Sequence, residues 1–353
     1  MQMETSSVTT TKKDIRSLEF AQLQQEMALL GQKPFRAKQV YEWLWQKSAH
    51  SFEEMTNLSK DLRQLLSEIF TIDAIHIAKE QHSADGTIKL GFGLHDGHII
   101  EGVLIPADGR MTACVSSQVG CSLSCRFCAT GFLPRKRNLS GGEIYDQVAL
   151  IDRLAKQHYG QPLTNIVYMG MGEPLLNYKN VLFSIDRITQ PDGLGMSAQR
   201  ITVSTAGIAK MIKQLADDQT RFNLALSLHA ANDEKRNQIM AINETNSLQV
   251  LADALRYYYA HAKRPVTYEY IVFHLFNDSP EDARQLAEFC KVVPCKVNLI
   301  EYNPVQGVSF LKTTEDRLAQ FAQYLEDKGI TTTLRRSRGK DIDAACGQLA
   351  NKD

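Results

Sequence analysis

Residues 14–70 carry apolar side chains at helical spacing. "SLEFAQLQQEMALLG" runs to a glycine stop, and "FRAKQVYEWLWQK" and "SKDLRQLLSEIF" follow. They predict a small helical unit whose Lys, Arg and aromatic side chains serve either nucleic-acid binding or packing on a neighbour. Residues 1–12 are polar and aperiodic, the pattern of a disordered tail. The apolar period then falls to two. "TIKLGFGL" and "HIIEGVLIP" flank His95-Asp96-Gly97, and "ADGR" leads into "MTACVSS", which predicts two hairpins. Alternation over residues 98–105 puts Glu101 on one face with Ile99 and Val103. A carboxylate there marks an exposed edge or a buried group with a raised pKa, and the edge is the commoner meaning.

From residue 111 onward, strand and helix patterns alternate. "MTACVSS", "NIVYM", "RITVS", "FNLALSL", "VTYEYIVF" and "KVNLIEY" read as strands followed by helices, and "TTTLRR" as a seventh strand. Ser140 and Glu143 form a capping-box pattern ahead of Ile144, Val148, Ile151 and Leu154 on one helical face. Such alternation predicts an α/β fold with a parallel sheet, and periodicity alone fits a doubly wound sheet or a partial barrel. In both, chemistry collects at the carboxyl ends of the strands. Polar stretches sit there: a cysteine loop, "GMGEPLLN", Ser204, "SLH" at 227–229 and "YNP" at 302–304.

Hydrophobic residues at 43% and charged residues at 23% are ordinary for a soluble globular chain. Lys plus Arg equals Asp plus Glu at 40 each, so any nucleic-acid partner must be held by local basic patches. The start, "MQMETSSVTTTKK", lacks the apolar core of a secretory signal, and no apolar run approaches the ~20 residues of a membrane span. The expectation is a cytoplasmic protein with reduced thiols and no membrane association.

Three of the seven cysteines fall in "CSLSCRFCATG", spaced Cys121-x3-Cys125-x2-Cys128. Three thiolates on one loop can hold a [4Fe-4S] cluster and leave one iron open. Zinc or incidental thiols are the alternative, but a structural zinc site needs a close fourth Cys or His, and no second pair at finger-like spacing follows. Cys290 and Cys295, at a helix end and a strand start, fall at the opposite end of such a fold and read as buried bystanders.

With Phe127 before its last cysteine, this loop resembles that of the radical S-adenosylmethionine (SAM) superfamily, and "GEP" at 172–174 strengthens the likeness. The resemblance implies a partial (β/α)6 barrel. It also implies one [4Fe-4S] cluster on Cys121, Cys125 and Cys128, whose open iron chelates SAM and cleaves it to a 5′-deoxyadenosyl radical. "CVSSQVGC" at 114–121, "MGMGEPLLN" at 169–177, "LSLHA" at 226–230 and "DIDAACGQL" at 341–349 are similar to the RlmN family, over residues 14–350. These are dual-specificity bacterial methyltransferases acting on C2 of adenosine 2503 in 23S rRNA and of adenosine 37 in certain tRNAs. The resemblance implies that Cys346 becomes S-methylcysteine at the expense of one SAM and that a second SAM supplies the radical. Glu101 would then be the proton acceptor, and Cys114 the thiol that resolves a covalent RNA–protein intermediate through a transient disulfide with Cys346. The SAM pocket carried over is Gly172, Glu173, Ser204, Ser227, Leu228, His229 and Asn303. "GFLPRKRNL" at 131–139 departs from many members in being more basic.

The implied organisation is a tail at 1–12, a helical RNA-binding accessory domain at 13–82 and a β-hairpin extension at 83–110. A radical SAM barrel follows at 111–335, then a carrier segment at 336–353. Gly347 and the upstream Arg335, Arg336, Arg338 and Lys340 predict a mobile, electropositive segment that favours the Cys346 thiolate. That cluster and Arg135-Lys136-Arg137 are the candidate RNA-phosphate contacts. A monomer reduced by a low-potential donor such as flavodoxin is expected. C8 methylation, as in the related Cfr enzymes, uses the same cysteines and stays open. So does a non-catalytic RNA-binding protein with a structural metal.

Overall fold

A computed structural model describes residues 12–351, so the expected tail lies outside the described residues except for Lys12. The chain divides into two compact units. The smaller comprises the chain up to Ala74 together with Arg187–Gly195. In it β1 (Lys13–Asp14) pairs in parallel with β2 (Phe70–Thr71). Between them run α1 (Phe20–Leu29), α2 (Pro34–Trp45) and α3 (Lys60–Ile69). Each helix buries an i, i+4 pair: Leu23 and Met27, Val40 and Leu44, Leu62 and Leu66. Pro34 opens α2, and the Ser59 hydroxyl caps α3 by accepting from the Leu62 N–H.

The larger unit holds a ten-stranded sheet. Its first four strands form an antiparallel meander: β3 (His76–His82), β4 (Ile88–Gly93), β5 (Ile99–Ala107) and β6 (Arg110–Cys114). Both hairpins expected from the sequence are therefore present. Residues 76–82, read from the sequence as part of the helical unit, instead form the edge strand β3. "HIAKEQH" is mostly exposed, so it carries none of the apolar alternation that signals a half-buried strand. A short ribbon of β7 (Gln118–Val119) and β8 (Arg137–Asn138) brackets the cysteine loop.

The sheet continues through β6, β9 (Asn165–Tyr168), β10 (Ile201–Thr205), β11 (Asn223–Ser227), β12 (Val266–Val272), β13 (Cys295–Glu301) and β14 (Thr332–Arg335), all parallel. The crossovers carry α4 (Gly141–Tyr159), α5 (Tyr178–Thr189), α6 (Ala209–Asp217), α7 (Asp233–Ile239) with α8 (Leu248–Ala262), α9 (Pro280–Phe289) and α10 (Glu315–Asp327). Spatial order follows chain order throughout. A doubly wound sheet reverses its order at a switch point, and this one never does. Right-handed crossovers that always step the same way put every helix on one face, which is barrel winding. The barrel is partial, because β14 and β3 remain sheet ends. Every residue of β12 is buried, as expected of a parallel strand. The capping box of α4 forms as the sequence predicts, with Ser140 Oγ accepting from the Glu143 N–H at 3.1 Å and Glu143 Oε2 accepting from the Ser140 N–H at 2.8 Å. Among the described residues, no helix is long and apolar enough to cross a membrane.

Candidate active site

A cavity opens at the carboxyl ends of the parallel strands, with about 150 Å³ of room for water centres. One water needs about 10–15 Å³ on that measure, so the space suits a ligand rather than a single solvent molecule. Cys121, Cys125 and Cys128 line it together with Gly172, Glu173, Ser204, Ser227, His229 and Cys346. Leu228 and Asn303 do not: Leu228 is fully buried beside the cavity, and Asn303 donates to the Cys346 carbonyl at 3.3 Å.

The cysteine loop is rigid for local reasons. Gly120 has φ of 75° and packs so close to the Pro134 carbonyl that a Cβ would lie 2.3 Å from its oxygen. The Cys128 N–H donates to the Cys125 carbonyl and the Gly131 N–H to that of Cys128. Phe127 anchors the loop in the barrel core, edge-on to His229 at 4.8 Å and 5.7 Å from the Phe273 ring. Burial pushes the Cys121 thiol up to about 11 and raises Cys125 and Cys128 as well, with Cys121 and Cys128 each raising Cys125 further. Three crowded, half-buried thiols ionise readily only with a cationic partner. That is the donor set of an iron–sulfur cluster.

Opposite them, Glu173 is buried and accepts from the Leu175 N–H at 3.0 Å and the Ala206 N–H at 2.7 Å. Burial lifts its pKa to about 7, against those hydrogen bonds. Gly172, with φ of 92°, leaves room for Gln118, whose side chain would otherwise meet its Cβ. Ser204 and Ser227, on adjacent strands, stand Oγ to Oγ at 3.3 Å. His229 Nδ1 accepts from the Ile271 N–H at 3.1 Å, so the neutral ring carries its proton on Nε2. Burial first and Arg236 second depress its pKa to about 3.

Arg236 and Glu269 escaped the sequence reading. Arg236 is fully buried and donates to the carbonyls of Ala206, Ser227 and Leu228 and to Asn243 Oδ1, tying together the ends of β10 and β11. Glu269 and Arg335 pair across the cavity wall at 3.3 Å. A lone Glu in the apolar run "VTYEYIVF" was the available signal for the first of these.

The carrier segment differs from expectation. Among its anchoring bonds, Ala129 N–H donates to the Gly347 carbonyl at 2.7 Å, Thr130 Oγ1 to Leu349 O at 2.6 Å and Gln348 Nε2 to Pro304 O at 3.1 Å. The segment is therefore docked rather than loose. Cys346 is exposed and lines the cavity. Burial raises its thiol, and the nearby Arg335 only partly offsets this. The expected thiolate-favouring environment is thus not the one observed. In protein produced without its cluster, so that Cys346 is unmethylated, its alkylation by iodoacetamide, followed by peptide mass spectrometry, should accelerate about tenfold per pH unit from pH 7 to 9. A plateau near pH 7 would show a thiolate already formed.

Cys114 closes β6 and is buried, which pushes its thiol up to about 12. Glu101 is buried too, so the exposed-edge reading fails. Its Oε1 pairs with Lys89 Nζ at 2.9 Å, and its Oε2 accepts from the Ala350 N–H at 2.7 Å. Breaking such a buried pair typically costs about 3–5 kcal/mol. The basic runs are largely occupied: Arg137 forks onto Glu143 and reaches Asp96, and Arg336 and Lys340 both pair with Glu301. Arg135 and Lys136 remain exposed at the loop. Cys290 caps the end of α9 and Cys295 starts β13, at the far end of the strands from the cavity.

Comparison with known proteins agrees with this geometry. Residues 13–72 match the family model described as ribosomal RNA large subunit methyltransferase N-terminal domain, and residues 115–290 match the radical SAM superfamily. A probable dual-specificity RNA methyltransferase RlmN of Cytophaga hutchinsonii is 60% identical over 99% of this chain and 96% of its own length. One from Staphylococcus aureus is 44% identical over 97% of this chain and 94% of its own. The crystal structure of a radical SAM methyltransferase from Sphaerobacter thermophilus superposes with a TM-score of 0.91 at 39% identity, covering 96% of this chain and 99% of that one.

Proposed function

Because the chain belongs to the RlmN family of radical SAM RNA methyltransferases, we propose that it methylates C2 of adenosine 2503 in 23S rRNA and of adenosine 37 in certain tRNAs. The observation that carries this reading is the meeting of Cys346 with the three loop cysteines and Glu173 around one cavity. C2 of adenine is electron-poor and cannot attack the methyl of SAM itself. It can accept a carbon radical.

Cys121, Cys125 and Cys128 would hold the cluster, and Glu173, with both oxygens turned to donors, suits the SAM ammonium. Ser204, Ser227 and Asn303 suit its ribose and carboxylate, and His229 offers an uncharged Nε2–H. Leu228 contributes a backbone wall, its N–H fixed to the Glu269 carbonyl. With SAM on its open iron, the cluster supplies a 5′-deoxyadenosyl radical, at the cost of a second SAM per turnover.

Cys346 takes its methyl by displacement and, after that methyl loses a hydrogen, is joined to C2 through a methylene. Glu101 takes the C2 proton, and the ring's odd electron would return to the cluster, which gave one up when SAM was cleaved. The Cys114 thiolate then attacks the Cys346 sulfur. The carbon–sulfur electron pair passes to the methylene, which picks up a proton and becomes the product methyl. A Cys114–Cys346 disulfide is left for reduction. Release of both thiol protons is uphill at neutral pH, and Arg335 is the cation that favours both thiolates. The target base must leave its stack to reach this cavity, and Arg135 and Lys136 are the cations best placed to hold RNA phosphate. The reading extends to a cytoplasmic monomer served by a flavodoxin-like donor.

Protein isolated without oxygen should be brown, with about four irons and four sulfides per chain. Once reduced, it should convert SAM and an rRNA fragment to 5′-deoxyadenosine and methylated adenosine. Cys125→Ala should lose colour, iron and SAM cleavage together. A colourless wild-type protein that still methylates RNA would overturn the reading.

A further inference from the structure

Both oxygens of Glu101 are occupied, and by donors from different parts of the chain. Lys89 Nζ, on β4, holds Oε1 at 2.9 Å. The Ala350 N–H, four residues past Cys346, holds Oε2 at 2.7 Å. The two side chains of the ion pair are 4% and 5% exposed, so water cannot replace either partner. The backbone around the carboxylate is fixed as well. Ser116 Oγ donates to the Glu101 carbonyl at 2.6 Å and accepts from the Met171 N–H at 2.8 Å. Next to Ala350, Asn351 Nδ2 donates to the Ile99 carbonyl at 2.7 Å, so the end of the segment is docked on β5 around Glu101.

Resting on the reading of Glu101 as proton acceptor, we propose that its proton is the signal that undocks the carrier segment. When the C2–H bond breaks, its electron pair stays with the ring and its proton passes to a Glu101 oxygen. Lys89 has no hydrogen-bond lone pair to offer, so it keeps its place only on an oxygen that accepts. The new O–H then lies on Oε2, and a neutral hydroxyl oxygen is a much weaker acceptor for the Ala350 N–H than the carboxylate was. Stripped of its charge assistance, the Ala350 bond gives way. The last residues of the segment are freed at the point in the reaction when the Cys346 sulfur must become open to Cys114. Lys89 is in this account a positioning residue that decides which oxygen takes the proton.

Glu101→Gln imitates the protonated state. Its amide has one acceptor, while Lys89 and Ala350 both need one, so one of them must lose. Hydrogen exchange of the peptide covering residues 345–351, in cluster-loaded protein that stays folded with unchanged iron content, should rise about tenfold or more for the loss of a hydrogen bond to a charged acceptor. Adding Lys89→Met removes the competitor, lets the amide oxygen turn to Ala350 and should restore protection to within about twofold of wild type. Unchanged exchange in Glu101→Gln would overturn the coupling, and so would a double variant as exposed as the single one. The base role itself is read separately, from turnover: a Glu101→Gln enzyme that methylates RNA at the wild-type rate would remove Glu101 as proton acceptor. If the single variant should unfold, Lys89→Met alone gives the second reading. Left with Ala350 as its sole donor, the carboxylate should hold the segment at least as well, and raised exchange in the folded Lys89→Met protein would also overturn the proposal.

Discussion

Replacing Cys114 with alanine is expected to turn the enzyme into a trap for its own RNA. In the proposed mechanism, resolution requires a second thiolate to attack the sulfur bridging protein and base. Cys121, Cys125 and Cys128 line the cavity as the proposed cluster ligands, while Cys290 and Cys295 sit at the amino end of β13. Cys114 is the last residue of β6, at the carboxyl end where the cavity lies, and it shares the influence of Arg335 with Cys346. Its removal should leave SAM cleavage and Cys346 methylation intact and stop turnover at about one event per chain, a loss of at least ~10³-fold in multiple-turnover rate. The trapped species should appear as a nucleic-acid-containing band that survives denaturation. It should vanish when Cys346 is replaced too. An inactive Cys114→Ala protein with full Cys346 methylation and no trapped RNA would mean that the thiol acts earlier.

Replacing Cys346 should abolish the reaction at its start. In the proposed reaction the cavity-facing sulfur accepts the first methyl, and the neighbouring Gly347, with φ of 85°, turns the chain so that Cys346 and Gly347 both line the cavity. Wild-type protein isolated from cells should carry S-methylcysteine in the peptide containing "AACGQL". Cys346→Ala should lack that mark and fall at least ~10³-fold in product, as expected when a covalent carrier is removed. Iron content should be unchanged. Near wild-type product from the alanine variant would reassign the methyl carrier.

How much of this could be read in advance depended on how local the signal was. The seven parallel strands were legible because fully buried runs such as residues 266–272 are apolar apart from Thr267 and Glu269, and the α4 capping box because its two partners stand three residues apart. Periodicity could not choose barrel over doubly wound sheet, since that choice lies in spatial strand order, which the unbroken sequence β6 to β14 settles. The edge strand β3 was lost because water on both faces erases alternation. Glu101 was misjudged for a subtler reason. Lys89 and Glu101 share a face of the same hairpin, since Lys89 stands opposite Val103 and Gly91 opposite Glu101, and noticing both charges on that face would have predicted a buried pair. The bond from Ala350 to Glu101 spans 249 residues and joins an irregular segment to a strand, so no periodicity could have announced it. The same holds for Arg187–Gly195, a Pro- and Gly-containing stretch that packs with a helical unit more than a hundred residues upstream.

The cysteine loop, "GMGEPLLN" and "SLH" were legible as chemistry because strand ends were the expected place for it, and they do line one cavity. What remained hidden were the residues that act through others: Arg236 behind Ser227 and Leu228, Lys89 behind Glu101, and Glu269 beside Arg335. Each is a charge visible as a letter and meaningful only once its partner is known.

The position of the new methyl group tests the central claim most directly. Nucleosides from 23S rRNA and tRNA should be compared by mass spectrometry between a strain carrying this gene and one lacking it. The account predicts 2-methyladenosine at adenosine 2503 and adenosine 37 in the first and its loss in the second, restored by the wild-type gene and not by Cys346→Ala. Unchanged 2-methyladenosine in the deletion strain, or the loss of 8-methyladenosine in its place, would contradict it.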